Sequence, residues 1–188
     1  MKYILASASP RRKELLNLIT SDFIVLPPYA DETVPSSMEP LFVPEYLAVK
    51  KAKSVARANP DITVIGADTA VFANDRMLGK PIDAEDAKNI LLDLSGKTHE
   101  GITGCAVCRN DRCTSFSCVT KVTFFDIDLK TVYNYIETGE PMDKAGAYGI
   151  QGKGALLVKE ISGDYFNVVG LPVSRLAKTL KGIEELWK

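Results

Sequence analysis

The chain has 188 residues, 46% of them hydrophobic and 25% charged, a length and balance that suit one globular domain, or two small lobes sharing a core, without stapling. A formal net charge of -1 and a pI near 5.9 argue against the broadly basic surface that non-specific nucleic-acid binding requires, so any phosphate-binding charge must be concentrated. No apolar run approaches the roughly 20 residues of a membrane span, and Met1-Lys2-Tyr3-Ile4-Leu5 turns into Ser, Pro and Arg before a signal-peptide core develops, which points to the cytoplasm.

Tyr3 to Ser7 reads as a short buried strand, followed by a helix from Pro10 that carries Leu15, Leu16 and Ile19 inward. Phe23 to Leu26 is a second apolar run ending at Pro27-Pro28. Tyr29 to Pro44 has no periodicity and reads as a long loop, a candidate lid or binding loop. A long helix is expected from about Pro44 to Asn59. Thr63 to Gly66 is a buried strand that runs through Ala67-Asp68-Thr69 and continues to Ala73, with a turn at Asn74-Asp75. Asp83 starts an acid-rich helix that ends at Gly96. Ile102 to Phe125 reads as two strands around an Asn110-Asp111 turn, followed by a helix from about Asp128 to Glu137 and a glycine-rich passage from Gly139 to Gly154. An extended pair, Ala155 to Glu160 and Tyr165 to Val169, and a helix from about Pro172 to Trp187 complete the chain. This irregular alternation implies an α/β fold with a mixed rather than purely parallel sheet.

Cys105, Cys108, Cys113 and Cys118 invite a zinc reading. On an extended strand, however, Cys105 and Cys108 point to opposite faces, which is poor chelate geometry. Reduced thiols acting as small hydrophobes are the favoured expectation. His99 is the only histidine, which excludes a multi-histidine metal site within one chain and argues against a serine triad. Its expected role is to satisfy a backbone group near Gly96.

The chemistry concentrates in a few stretches. In Ser7-Ala8-Ser9-Pro10-Arg11-Arg12-Lys13 a strand hands over to a helix, with Ser9 a natural N-cap and Pro10 a natural first residue. Three cations in the first turn stand at the wrong end of the helix dipole, at about 0.3–1 kcal/mol each. Bound phosphate would resolve that conflict, because helix amides and arginine forks both suit it; a solvated basic helix end held by surface acids is the alternative. Asp68 interrupts an apolar run, where a carboxylate is costly unless it is paired or binds a cation. It is either a buried structural hydrogen-bonder beside the Gly66 bend or a metal-holding group that activates water. Glu32 offers a second carboxylate to the same metal. Lys51 and Lys53 on the long helix, and Lys80 fixed between Gly79 and Pro81, are candidate phosphate contacts. In Asp143 to Gly152, glycines at 146, 149 and 152 would let backbone approach a flat ligand, with Tyr148 and Gln151 stacking on or bonding to a base.

Leu5-Ala6-Ser7-Ala8-Ser9-Pro10-Arg11-Arg12, Gly66-Ala67-Asp68-Thr69, Gly79-Lys80-Pro81, Ser95-Gly96-Lys97-Thr98-His99, Asp143 to Gly152 and Val169-Gly170-Leu171-Pro172 together resemble, in order, the Maf family of nucleotide pyrophosphatases, also discussed as septum-formation inhibitors. The resemblance implies a single Maf-like domain over residues 1–188, with a mixed twisted sheet flanked by helices and two lobes around a central cleft. That fold is similar to the inosine triphosphate pyrophosphatases, and homodimers are frequent. It implies metal-dependent hydrolysis of a nucleoside triphosphate to the monophosphate and pyrophosphate, with Mg²⁺, Mn²⁺ or Co²⁺. By the same resemblance Asp68 is the general base, Ser7, Arg11, Arg12, Lys51 and Lys80 surround the triphosphate, and Glu32 and Asp68 lie near the metal. Arg11, Thr69 and Gln151 match the selectivity pattern of the dTTP and UTP subgroup, with CTP or modified pyrimidine nucleotides as further substrates. Neither nucleic acid nor membrane is an expected partner. Two rival readings are a nucleotide-binding regulator of cell division without turnover and a zinc-bearing interaction module. The enzyme reading requires the cations of the first helix and Asp68 to share one surface.

Overall fold

A computed structural model describes residues 2–74 and 76–187. Its elements in chain order are β1 (Tyr3–Ala6), α1 (Pro10–Asn17), β2 (Phe23–Val25), α2 (Val43–Ala56), β3 (Thr63–Ala73), β4 (Arg76–Leu78), α3 (Ala84–Leu94), β5 (Thr98–Arg109), β6 (Arg112–Phe124), α4 (Leu129–Ile136), β7 (Val158–Ser162), α5 (Tyr165–Val169) and α6 (Val173–Leu186). The strands form one mixed sheet in the order β2-β1-β3-β5-β6-β7, with β4 paired to β3. β1 runs parallel to both β2 and β3, whereas β4 and β7 pair antiparallel with β3 and β6. Parallel neighbours need crossover connections, and α1 and α2 supply them. β1 is buried along its whole length, as its unbroken apolar run requires.

The chain divides into two compact units: unit 1 is Met1–Asp68, Thr103–Cys118 and Gly170–Lys188, and unit 2 is Thr69–Ile102 and Val119–Val169. The core of unit 1 is built largely from small side chains, including Ala6, Ala48, Ala52, Ala56 and Ala106 with Ile4, Val55 and Val64. Small residues let α2 come close to the sheet. A Cβ at Gly66 would lie 2.5 Å from the Ala48 carbonyl oxygen, and one at Gly104 would lie 2.2 Å from the Glu45 nitrogen. The Glu45 carboxylate then accepts hydrogen bonds from Ser115 and Ser117 on β6 at 2.7 and 2.8 Å, fixing the first turn of α2.

Cys108 and Cys113, which flank the Asn110-Asp111 turn, are joined by a disulfide, their Cα atoms 4.1 Å apart. The expectation of four reduced thiols is corrected accordingly: only Cys105 and Cys118 are free. A two-residue turn brings the positions on either side of it opposite each other, within bonding reach. Burial pushes the Cys105 thiol up to about 12, which makes it inert.

Unit 2 packs larger groups: Val71, Leu91, Leu94, Val122, Phe124, Val132, Tyr135, Tyr148 and Leu157. α3 is capped as its sequence requires, with Asp83 accepting from the Asp86 amide at 2.8 Å and Asp86 accepting from the Ile82 amide at 2.9 Å. Gly96 follows the helix at φ 67. Asp128 caps α4 through the Thr131 amide at 2.7 Å.

Several boundaries differ from the sequence reading. α2 begins at Val43, after a short 3-10 turn at Pro40–Phe42 within the long loop. β4 went unpredicted, and Asp75 of the expected Asn74-Asp75 turn lies outside the described residues. Ala155 to Leu157 belongs to a 3-10 turn, so β7 starts at Val158. The main correction is Tyr165–Val169, expected as a strand and found as a short helix. The Asp164 carboxylate accepts from the Phe166 amide at 2.8 Å, while Thr120 Oγ1 engages the Asp164 backbone and accepts from Asn167 Nδ2 at 2.9 Å. Local side-chain bonding of this kind outweighs β propensity. Among the described residues, no helix is long and apolar enough to cross a membrane.

His99 is 2% exposed and bonds through Nε2 to the Tyr148 hydroxyl at 2.7 Å, not to the backbone near Gly96. It also packs edge-on against Phe124 and Tyr148, with ring centroids 4.9 and 5.2 Å away. Burial holds its pKa at about 4, against an ordinary 6.5. Between those values the unfolded chain binds a proton that the folded chain does not, so stability falls as pH drops through this window. Replacing His99 by Gln is expected to shrink the stability difference between pH 7 and pH 5 by about 2 kcal/mol, checked by urea unfolding at both pH values. An unchanged difference would show that His99 does not control acid sensitivity.

Candidate active site

The register of the parallel strands assembles the site. Ala6 pairs with Gly66 and Leu5 with Val25, so Ser7 and the loop that leads from β2 to Glu32 follow the carboxyl ends of β1 and β2, and Asp68, within β3, stands two residues past that strand's last pairing with β1. Open α/β sheets bind ligands at this end. All of these residues belong to unit 1.

On α1, the Ser9 side chain accepts from the Arg12 amide and caps the helix, and no acidic residue stands in the first turn. Arg12 Nε donates to the Gly170 carbonyl at 2.9 Å, and one terminal nitrogen donates to Ser7 Oγ at 3.4 Å. Ser7, 4% exposed, also accepts from the Ser9 amide at 3.2 Å. Burial lowers the Arg12 pKa, while the charge of Asp68 is the strongest opposing influence and that of Glu32 acts in the same sense; the charge of neighbouring Arg11 adds to the lowering. Arginine stays protonated regardless. The cationic turn and the carboxylates therefore share one electrostatic neighbourhood.

Lys51 Nζ lies 2.5 Å from Asp68 Oδ1 and 3.2 Å from Glu32 Oε1. Lys51 and Asp68 are 12% and 17% exposed and Glu32 is 59% exposed, so a partly buried pair is edged by one solvated acid. Lys51 reaches this point because it lies between Ala48 and Ala52, the residues seated against Gly66. Two carboxylates converging on one positive group present oxygen ligands to a common point. A hard divalent cation can be held by one or two carboxylates when water and phosphate oxygens complete its shell, so Glu32 and Asp68 are the residues that could hold one. Lys53, the other candidate on α2, is exposed.

In unit 2, Thr69 is half-buried on β3, while Lys80 and Gln151 are exposed on loops. The Gly79 carbonyl accepts from the Gly146 amide at 3.0 Å, tying the Lys80 loop to the glycine-rich passage. Tyr148 is 5% exposed and committed to His99, which corrects the expectation that it meets a base. The glycines have internal reasons as well. A Cβ at Gly146 would meet Val71 at 3.0 Å and one at Gly152 would meet the Glu140 carboxylate at 2.7 Å, both at positive φ. They serve packing rather than an open approach to a ligand.

A family model described as Maf-like protein matches residues 2–183. The chain belongs to the Maf family. It is 48% identical over 180 residues to a dTTP/UTP pyrophosphatase of Bacillus cytotoxicus, covering 96% of this chain and 94% of that relative. A dTTP/UTP pyrophosphatase of Bacillus velezensis matches at 48% identity, covering 96% and 95%. Among solved structures, the Staphylococcus aureus Ham1 protein shares the fold at a TM-score of 0.58 and 16% identity, covering 97% of this chain and 99% of that one.

Two contributors escaped the sequence reading. The Gly170 carbonyl orients Arg12, and Gly66 admits α2. Both glycines stand in stretches that matched the Maf pattern, but only the folded backbone reveals what they touch. Gly66→Ala is expected to cost roughly 1–3 kcal/mol, because its methyl group collides with backbone and cannot be absorbed by a side-chain rotation. Urea unfolding measures this, and a wild-type midpoint would refute the close packing.

Proposed function

We propose that this Maf-family chain is a nucleoside triphosphate pyrophosphatase that converts dTTP and UTP to the monophosphate and pyrophosphate. The observation that carries the reading is the convergence of the Lys51 ammonium with the Asp68 and Glu32 carboxylates, beside Ser7 at the end of β1, to which the Arg12 guanidinium donates. The similarity to the two Bacillus dTTP/UTP pyrophosphatases supports the same substrates.

In this mechanism Ser7, Arg11 and Arg12 bind the triphosphate and offset the negative charge that develops on the leaving pyrophosphate. Asp68 accepts a proton from the attacking water, whose oxygen bonds to the α-phosphorus as the bond to the bridging oxygen of pyrophosphate breaks. Lys51 orients Asp68 through the Nζ to Oδ1 hydrogen bond. Glu32 and Asp68 would hold Mg²⁺, Mn²⁺ or Co²⁺, which when bound lowers the pKa of water and neutralises phosphate charge. Lys80 is assigned a phosphate contact, and Arg11, Thr69 and Gln151 the choice of pyrimidine. A cytoplasmic address and a homodimer go with this reading. Positioning and charge supply most of the catalysis.

Asp68→Asn is expected to keep the fold and to lower pyrophosphate release from dTTP and UTP by about 10²–10⁴-fold, assayed with Mg²⁺, Mn²⁺ and Co²⁺ in turn. Undiminished activity in that variant overturns the role of Asp68. Nucleotide binding by the wild type without any pyrophosphate release favours the division regulator instead.

A further inference from the structure

Gln151 lies on an exposed stretch between two fixed points. Two residues before it, the Gly149 amide donates to the Tyr135 hydroxyl at 3.1 Å. Two and three residues after it, the Lys153 and Gly154 amides donate to the two oxygens of the Glu140 carboxylate at 3.2 and 3.3 Å. The hydroxyl and the carboxylate thus grip the segment on both sides of Gln151. Packing closes the grip. A Cβ at Gly152 would lie 2.7 Å from Glu140 Oε1, and one at Gly154 would lie 2.6 Å from the Tyr135 hydroxyl. Tyr135 is 4% exposed, and burial keeps its proton in place, with its pKa pushed up to about 12, so it accepts from Gly149 as a neutral hydroxyl.

The carboxylate has its own support. Its backbone amide donates to Thr138 Oγ1 at 3.1 Å, and Thr138 Oγ1 in turn donates to the Tyr135 carbonyl at 2.6 Å. The Lys144 ammonium donates to the Glu140 carbonyl oxygen at 2.5 Å. Tyr135 and Glu140 are thus linked through Thr138, and the 3-10 turn that begins at Gly152 is built upon them. Tyr135, Ile150 and Gly154 are buried, whereas Glu140 is only partly buried and residues 151–153, which carry Gln151, are exposed. A loop free to wander would present the Gln151 amide in many orientations and discriminate poorly between bases.

We infer that Tyr135 and Glu140 are positioning residues for base selection, holding the 149–154 backbone so that the Gln151 amide meets a pyrimidine edge in one orientation. This rests on the proposed function, in which Gln151 contacts the base. The test compares wild type with Tyr135→Phe, Glu140→Ala, Glu140→Gln and, as a control, Tyr133→Phe, an exposed tyrosine on the same helix. Three quantities are measured: kcat/KM for dTTP and UTP relative to GTP, amide hydrogen exchange over 149–154, and thermal stability. Tyr135→Phe and Glu140→Ala are expected to speed exchange in that segment and to lower the pyrimidine-to-purine ratio about tenfold, a loss on the order of 1.4 kcal/mol of discrimination. Glu140→Gln, which keeps one acceptor oxygen, should recover part of the ratio, and Tyr133→Phe should leave it at the wild-type value. A purely structural role would lower the melting temperature and all substrates together without moving the ratio. That result in an active enzyme overturns this inference alone, whereas a wild type that releases no pyrophosphate from any nucleotide overturns the proposed function and this inference with it.

Discussion

The approach of α2 to β3 at Gly66 governs the candidate site. Where the strand has no side chain, the helix backbone comes so close that a methyl group would collide with the Ala48 carbonyl oxygen and with Ala52. Lys51, between those alanines, is thereby delivered to Asp68. A lysine and an aspartate brought together this far from water are weak contributors to stability, because desolvation offsets much of their attraction. Two alanines and a glycine dedicated to placing such a pair are better explained by chemistry than by folding energy. Glu45, bonded to two serines of β6 while its backbone lies against Gly104, fixes the other end of the same helix, so the position of Lys51 is set from both directions.

Much of the fold was legible because its signals are local. Ser9-Pro10 marked the start of α1, Asp83 and Asp128 marked the starts of α3 and α4, and Gly96 followed the end of α3 at positive φ. Each is a side chain acting on amides within a turn of itself. Tyr165–Val169 misled because its composition suits a strand, whereas its conformation is decided by Asp164 together with Thr120, a residue more than forty positions earlier. Tyr148 misled for a similar reason. Its motif suggested a ligand, yet His99 on β5 claims its hydroxyl, and no sequence spacing announces that pairing.

The candidate site was legible as a list of residue types and illegible as a set of partners. The pattern singled out Asp68 as an acid in an apolar strand and Lys51 as one of several lysines, but only register and packing distinguish Lys51 from its exposed neighbour Lys53. The glycine-rich passage carries a related lesson. Gly146, Gly152 and Gly154 each face a specific internal neighbour, so glycine richness reflects how tightly this segment is tied down. Rigidity, rather than openness, is what a base-reading loop requires.

The cationic first turn of α1 poses the remaining energetic question. With no acid in that turn, the helix dipole is opposed by its own side chains. The fold answers in part: Arg12 donates to Gly170 and Ser7 and feels the charges of Asp68 and Glu32. Those carboxylates are shared with Lys51, so one cluster holds cations and acids side by side. Under the proposed reaction a highly anionic triphosphate would gain more from the arginines and the lysine than a monophosphate would, because its charge is larger. The cations that burden the helix would thus favour substrate over the nucleotide product, which is the direction that turnover requires.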